Sequence, residues 1–426
     1  MSLSLKKPNW KEIMSGTRYA RRRRGDFILR MIGLSALTVA IGVLVILVAS
    51  LVQTGHHAFT QSFLTLKVNI SDDYVSADDP SKGRYRNIIN EALLEQFPQV
   101  TSAAEKRNVY KIPTPAAQYL LRDYIIENPE DIGKTISFSV PLSDPYDQLA
   151  KGLINPDTPE EFRRLKNNQV AWFNTLKADG LVSSKFNTGL FTNADSRFPE
   201  MAGLAGALTG SFYALLVCFV ISFPVGIGAA IYLELFAPKN RVTDLIEINI
   251  NNLAAVPSVV FGLLALAVFL NWFGMPRSAP VVGGLTLALM TLPTIIIATR
   301  SALKAVPPSI YEAALGVGAS KQQAVFHHVL PVALPGILTG TIIGLAQALG
   351  ETAPLLLIGM NAFLTTIPDG PLAASTALPT QIFIWADSPE RGFVSRTSAA
   401  ILVLLGFLIT MNAIAVYLRS KFEKNI

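Results

Sequence analysis

Few side chains in this 426-residue sequence could do chemistry, and the charged ones of interest stand at the ends of long apolar runs. Arg300 follows one such run and Glu351 follows another. Ionisable groups at these positions are candidates for an ion pathway, because charge is costly inside a bilayer. Arg300 could equally anchor its helix at the inner membrane surface. Glu351 could pair with a cation in a structural role or form part of a gate.

Neutral hydrogen-bonding side chains in the same regions form a second group of pathway candidates. They are Ser258, Thr291, Thr294, Asn251 and, beside Glu351, Thr352. A Ser or Thr hydroxyl could bond an ion in transit, or it could bond back to a carbonyl of its own helix, which is the commoner case. Asn251 lies just before an apolar run and could simply cap its start.

Enzymatic chemistry finds no support in the sequence. The pattern GxxxxGK[ST] is absent, so we expect no ATP hydrolysis by this chain. Cys218 is the single cysteine, which excludes an intrachain disulfide. His56 and His57 are adjacent, but nothing else marks a metal site, and a solvated linker explains them. We therefore expect no catalytic residue, no metal and no cofactor bound by this chain.

The apolar runs themselves predict an all-α polytopic membrane protein with six transmembrane helices. Half of the residues are hydrophobic and only 15% are charged, unlike an ordinary soluble domain. A helix needs ~20 apolar residues to cross the hydrocarbon. The runs free of Asp, Glu, Lys, Arg and His are 31–52, 204–233, 253–270, 281–299, 332–350 and 397–418. A further run, 353–360, is too short to span and is either re-entrant or an extension of the fifth helix.

Basic residues in the short loops predict the orientation of the spans. Residues 1–30 form a basic N-terminus, with Arg21 to Arg24 on the cytoplasmic side. The run that follows exceeds the about 7–15 apolar residues of a signal peptide, so we expect an uncleaved anchor. Lys239 and the tail 419–426 then also lie inside, which puts both termini in the cytoplasm of a cell with an inner (plasma) membrane. The net charge of +6 reflects this orientation and does not indicate nucleic-acid binding.

Between the first two spans, residues 53–201 predict a small α+β domain outside the membrane. The segments "FLTLKVNI" and "KTISFSV" alternate apolar and polar residues in the manner of strands. The segments "YRNIINEALLEQF" and "PEEFRRLKNNQVAWFNTLKADG" repeat apolar residues at helical spacing. A block of this length can bury a core of its own.

Residues 309–329, hereafter the elbow, lie between the fourth and fifth spans and predict two short helices. Ser309 with Glu312, and Ser320 with Gln323, have the spacing of a capping box. Gly316 and Gly318 would end the first helix, and Pro331 would mark the exit of the second into the fifth span.

The apolar face of the elbow consists mostly of Ala and Gly. Such a face is a poor lipid anchor and favours docking of a cytoplasmic protein. An interfacial helix pair on the inner leaflet is the alternative. Glu312 could serve only as a capping residue, or as both cap and docking residue.

The elbow resembles the EAA loop of ABC importer permeases. Glu312-Ala313-Ala314 is followed, after three residues, by Gly318 and, nine residues later, by His328-Val329-Leu330-Pro331. The chain departs from the family pattern at His328, where Ile is usual. The resemblance implies a type I ABC importer permease core over about 204–418. It also implies that a nucleotide-binding subunit is contacted by Glu312, Ala313, Ala314, Gly318, Leu330 and Pro331.

Three more segments, "NNLAAVPSVVFGLLAL", "TLPTIIIATRSALKAVP" and "ALGETAPLLLIG", resemble the permeases of phosphate-specific ABC importers. This resemblance implies that the chain forms half of a phosphate pathway, which Arg300 could line. It implies a sister permease (PstC), two ATPase subunits (PstB) that hold the ATP, and an external phosphate-binding protein (PstS). A permease for sulfate, molybdate or a peptide and a membrane-anchored sensor are the alternatives. A secondary transporter would need coupling-ion sites, for which the spans carry no carboxylates.

Overall fold

The computed structural model describes residues 17–76 and 79–423. The predictions for residues 1–16 and for 424–426 of the tail lie outside the described residues. The chain divides into two compact units, the first ending at Gln53 and the second starting at Thr54. The long helix α1 (Thr17–Gly55) contains the run 31–52, and most of its described apolar side chains are exposed, with Val48 and Leu51 partly covered.

A three-stranded antiparallel sheet organises the region after α1. Its strands are β1 (Thr60–Asn69), β2 (Thr135–Pro141) and β3 (Val182–Phe186), in the order β2-β1-β3. Leu64 pairs with Val140 on one side and with Val182 on the other. β1 and β2 form where the alternating patterns predict them, whereas β3 was not predicted. Its sequence, "VSSKF", lacks the alternation that marks a half-buried strand.

Helices cover one face of this sheet and enclose a separate core. They are α2 (Tyr85–Gln96), α3 (Ala103–Val109), α4 (Ala117–Glu127), α5 (Asp144–Ala150) and α6 (Asn167–Ala178), whereas the short α7 (Gly189–Thr192) packs through Leu190 with residues of the helical region. Leu64, Leu66 and Val68 alternate along β1 into the core, where Trp172 and Tyr146 are also buried. The region therefore has the α+β architecture that its sequence predicts.

The remainder of the second unit is helical. Its elements are α8 (Ala205–Ile231), α9 (Arg241–Ala254), α10 (Ser258–Ala265), α11 (Pro280–Lys304), α12 (Pro308–Gly316), α13 (Lys321–Ala324), α14 (Leu330–Gly350), α15 (Ala353–Leu357), α16 (Leu378–Ala386) and α17 (Gly392–Glu423). Wide π-helical turns extend α8 over Tyr232–Phe236 and α10 over Leu266–Trp272, and another joins α13 to α14 over Val325–Val329.

Among the described residues, five helices are long and apolar enough to cross a membrane, or six if one bent pair counts as a span. The bent pair consists of α9 and α10, which meet at 101°. The third apolar run, 253–270, begins inside α9 and crosses the bend, so it does not form one straight helix. Pro257 explains the break, since a proline disfavours helical geometry in the residue before it.

Small residues bring the spans into close contact. α11 packs against both α8 and α14. A Cβ at Gly284 of α11 would lie 2.6 Å from the Ala214 carbonyl of α8, and one at Gly340 of α14 would overlap Ala298 of α11. Only glycine allows helix backbones to approach this closely. α11 is therefore the central helix that positions its neighbours.

Candidate functional site

The first half of the elbow is α12, and it begins differently from the prediction. Its first residue is Pro308, and Ser309 lies inside the helix, where it makes no capping bond. The predicted box between Ser309 and Glu312 is therefore wrong. Proline is favoured at the first helical position because its missing N–H would be unpaired there in any case, and this sets the start two residues too early for Ser309 to cap.

The end of α12 is a glycine-dependent reversal. Gly318 has φ +91°, a left-handed conformation that suits glycine. The Gly318 N–H donates to the Leu315 carbonyl at 3.0 Å, and the Ala319 N–H donates to the Ala314 carbonyl at 3.1 Å. These two bonds form a Schellman motif. The Gly of the EAA pattern thus turns the chain between the two halves of the elbow.

The second half of the elbow begins with the capping box that the sequence predicts. The Ser320 N–H donates to Gln323 Oε1 at 2.9 Å, and the Gln323 N–H donates to Ser320 Oγ at 3.2 Å. The predicted exit at Pro331 is wrong, because the helix continues through it to Gly350. The π-helical turn at Val325–Val329 just precedes Pro331, and a wide turn there relaxes the backbone bonding that proline would otherwise disrupt.

The underside of the elbow is fixed to the helix bundle. Val325 and Val329 are fully buried and pack in one cluster with Ile231, Leu303 and Val306, at the ends of α8 and α11. Burial of a side chain of this size contributes about 1.5–3 kcal/mol. The elbow is therefore attached to two spans besides the one that it enters.

The outer face of the elbow carries an apolar patch. Val317 is 86% exposed, Phe326 is 52% exposed, and Leu315 also reaches the surface. Glu312 and Ala313 are exposed beside them, whereas Ala314 faces the bundle and Leu330 and Pro331 are partly covered. Apolar groups that protrude together beside a charge are typical of a surface that binds a partner.

Arg300 lies in a carboxylate clamp. Its Nε donates to Glu234 at 3.1 Å, and an Nη donates to Glu247 at 2.6 Å. Lys304 lies 3.5 Å from Glu234. The clamp joins the end of α8, the amphipathic helix α9 and the end of α11. Since two carboxylates neutralise the guanidinium, the geometry favours the anchoring interpretation of Arg300 over a free cation that attracts anions.

The neutral candidates fall into two groups. The Thr291 hydroxyl is buried, donates to the Ala288 carbonyl at 3.2 Å and lies 3.5 Å from Cys218 Sγ, so it bonds within the bundle. Ser258, Thr294 and Asn251 form no side-chain hydrogen bond with any described residue. Ser258 opens α10, and Asn251 is exposed near the bend between α9 and α10. No bond links these side chains to one another.

Glu351 and Thr352 occupy the break between α14 and α15. Glu351 is extended (φ −75°, ψ 121°), half-buried, and forms no salt bridge within residues 17–76 and 79–423. Thr352 precedes α15, and its carbonyl accepts the Leu356 N–H at 3.0 Å. The run 353–360 begins as the separate helix α15 and does not extend α14. The described part of the chain therefore offers no cationic side chain that pairs with Glu351.

Two residues that sequence reasoning missed, Glu234 and Glu247, complete the clamp around Arg300. Glu234 directly follows an apolar run that ends on the same predicted side as Arg300, and this was the available signal. Among the described residues, no group of three His, Cys, Asp or Glu side chains could hold a metal ion.

Comparison with known proteins defines the class to which this arrangement belongs. Residues 222–424 match the family model "binding-protein-dependent transport system inner membrane component". Residues 16–160 match a domain of unknown function, DUF3333. The chain is therefore a multi-pass inner-membrane permease component of a binding-protein-dependent transport system.

Named relatives narrow the class. A probable ABC transporter permease, YqgI of Bacillus subtilis, is 33% identical over 46% of this chain and 65% of its own length. The phosphate transport system permease protein PstA of Yersinia pestis is 33% identical over 50% of this chain and 71% of its own. The phosphate transport system permease protein PstA of Xylella fastidiosa strain Temecula1 is 31% identical over 58% of this chain and 85% of its own length. The chain belongs to the PstA family of permeases, which are transport subunits and not enzymes.

A solved amino acid ABC transporter also aligns, with a TM-score of 0.38 and 20% identity, over 52% of this chain and 94% of that one. Similarity at this level adds nothing to the assignment.

Proposed function

We propose that this chain is the permease subunit of an ATP-driven importer of inorganic phosphate and forms half of the translocation pathway. The names of its PstA relatives support phosphate as the substrate. The observation that carries the transport mechanism is the elbow, which is anchored beneath by Val325 and Val329 and exposes Glu312, Val317 and Phe326 above.

The partners follow from the same proposal. The chain pairs with a sister permease of the PstC type, receives phosphate from a PstS-type binding protein, and docks through its elbow onto the pair of PstB-type ATPase subunits that bind the ATP in the complete importer. An external energy source is required, because moving one negative charge against an inside-negative potential costs about 2.3 kcal/mol per 100 mV. This chain contains no phosphate-binding GxxxxGK[ST] loop.

The proposed topology has six spans, with α9 and α10 counted as one bent span. The domain of β1–β3 lies outside the membrane between the first and second spans, and both termini lie in the cytoplasm. The distribution of Arg21 to Arg24, Lys239 and Lys321 supports this orientation.

The proposed mechanism transmits ATPase closure through a single helix. The helix Lys321–Gly350 runs from the elbow, past Pro331, to the break at Glu351. A push on the elbow therefore displaces α14, and with it the ends of α8 and α11 that pack on Val325 and Val329. Glu351, Thr352, Ser258 and Thr294 remain the proposed pathway residues, while Arg300 holds α9 in place.

Uptake measurements test the substrate. Radiolabelled phosphate uptake at micromolar phosphate should disappear in cells that lack this chain and return when the chain is restored, with sulfate and molybdate failing to compete. Unchanged phosphate uptake would leave the permease class intact and remove phosphate as the substrate. Competition by sulfate or molybdate would favour an importer for another anion.

Substitutions in the elbow test the coupling. Glu312→Ala combined with Gly318→Val should reduce ATPase co-purification and uptake by about tenfold or more, because the first removes an exposed docking charge and the second strains a left-handed residue. Gln322→Ala is the matched control, since Gln322 is exposed in the same segment. Normal association of the double variant with the ATPase would contradict docking at the elbow.

A further inference from the structure

The domain of β1–β3 contains a large cavity that the proposed transport function does not use. It has a volume of about 780 Å³ and opens between α2, α3 and α5. Its floor is partly apolar, with Ile89, Ala117 and Leu165 among the lining residues. Cavities of about 300–1,000 Å³ with apolar walls and a few polar groups are typical small-molecule sites. Inorganic phosphate alone would leave most of this volume empty.

The rim of the cavity carries an excess of positive charge. Arg86, Arg107 and Lys111 line it, and none of them forms a salt bridge with any described residue. Arg164 also lines it, but this side chain is paired with Asp144 at 2.8 Å and with Glu390 at 3.1 Å. Three cations on one rim repel each other unless an anion lies between them.

The floor of the cavity adds hydrogen-bond donors. The Tyr146 hydroxyl is buried and lies against the side chain of Gln169, and its own O–H has no acceptor in regular hydrogen-bond geometry among the described residues. Burial raises the pKa of Tyr146, so the phenol stays protonated and acts as a donor. Gln169 accepts the Lys166 N–H at 2.8 Å through Oε1, so its Nε2 is the group that faces the Tyr146 oxygen. Each unpaired buried group costs stability, and a bound acceptor would remove that cost.

We propose that this cavity binds a phosphorylated organic anion. The phosphoryl group would lie between Arg86, Arg107 and Lys111, because guanidinium groups match phosphate oxygens in geometry and in charge. The organic part would occupy the apolar floor, with an oxygen that accepts from Tyr146. The assignment holds for this domain whatever ion the permease transports.

Isothermal titration calorimetry on the full chain in detergent micelles tests the proposal, with glycerol 3-phosphate as the probe. We expect saturable binding of glycerol 3-phosphate, and weaker binding of inorganic phosphate and of succinate. Arg107→Gln combined with Lys111→Gln should weaken binding at least about tenfold, through loss of two charge-assisted contacts. Lys106→Gln is the matched control, since Lys106 lies beside Arg107 on α3 but does not line the cavity.

Tyr146→Phe separates binding from folding. It removes one hydroxyl whose O–H has no acceptor in the described chain and keeps the ring in the core, so the melting temperature should change little, while the affinity for glycerol 3-phosphate should fall about threefold to tenfold. Absence of saturable glycerol 3-phosphate binding up to about 10 mM would overturn the proposal. Equal binding of inorganic phosphate would refute an organic ligand, and equal binding of succinate would refute phosphoryl recognition.

Discussion

Buried charge is concentrated where the domain of β1–β3 meets the final helix. Arg396 is 5% exposed and donates to the Ala202 carbonyl at 2.6 Å. Asp147 pairs with Lys151 at 2.5 Å and accepts the Ser62 N–H at 2.9 Å. Glu200 is buried nearby. Charges removed from water are retained only when others compensate them, so these groups depend on one another.

Glu200 gives a prediction about pH. Burial raises its pKa above the ordinary value of 4.5. A carboxyl whose folded pKa is raised binds its proton more tightly in the folded state, so its ionisation removes stability as the pH rises above 4.5. Glu200→Gln should therefore stabilise the chain relative to wild type at neutral pH, and this advantage should vanish below pH 4.5. Each pH unit within the window changes the difference by at most about 1.4 kcal/mol.

The measurement is the melting temperature of both proteins in micelles between about pH 4 and 8. Glu95→Gln serves as the control, since Glu95 is exposed on the same domain. A difference between wild type and Glu200→Gln that does not change with pH would contradict the prediction.

At the residue scale, contacts between residues that are close in the sequence could be predicted, whereas ion pairs between residues that are far apart in the sequence could not. The box between Ser320 and Gln323 forms because both residues lie within one turn. Arg300 is 66 residues from Glu234 and 53 from Glu247. No periodicity connects such distant positions, so its partners depend on how α8, α9 and α11 pack.

At the scale of elements, the length of an apolar run predicts that a membrane-spanning segment exists but does not predict whether that segment is straight or bent. The run 253–270 is uniformly apolar, yet the chain turns by 101° just before Ser258. Residues 353–360 are also apolar, but the break at Glu351 separates them from α14. The bend falls at Pro257, which the sequence shows, but the mean hydropathy of a run does not indicate where its helix changes direction.

The contact between α10 and α15 gives a prediction at this scale. A Cβ at Gly262 would lie 2.7 Å from the Pro354 Cα and 2.9 Å from Leu357 Cδ1. Gly262→Val should therefore force α15 away from α10 and cost about 1–3 kcal/mol, as overpacking typically does.

Thermal unfolding in micelles measures the effect. Gly228→Val in α8 is the matched control, because nothing lies within 4 Å of a Cβ built at Gly228 and the change in helix propensity is similar. Equal melting temperatures of the two variants would show that α15 is not held by this contact. Since Glu351 and Thr352 precede α15, we also expect Gly262→Val to lower uptake more than the control does.

At the scale of the whole second unit, a chain of ion pairs connects the sheet domain to the last helix. Arg164 bridges Asp144 at the start of α5 and Glu390 just before α17. Gly392 lies so close to Asp144 that a Cβ there would overlap the carboxylate. The domain is thus joined to the start of a membrane-spanning helix through side chains as well as through the backbone.

Asp144→Asn tests this connection. It leaves Arg164 and Arg396 with less compensating charge and should cost about 1–3 kcal/mol, with faster amide exchange in α5 and at the start of α17. Asp123→Asn is the control, because Asp123 pairs with Arg122 at the surface, where such pairs contribute little. Unchanged exchange at the start of α17 would indicate that the domain and the helix move independently.

The wide turn at Val325–Val329 places one residue more between the Ser320 cap and α14 than regular helical turns would. Each residue of an α-helix rotates the chain by about 100° around the axis. A chain shortened by one residue here would return Pro331 to a regular helical turn, and Glu312 and Phe326 would rotate by about 100° around the helix axis from their present positions. The additional residue in the wide turn therefore sets the direction in which Glu312 and Phe326 face. Its deletion would turn the docking surface of the elbow away from its present direction without unfolding the chain.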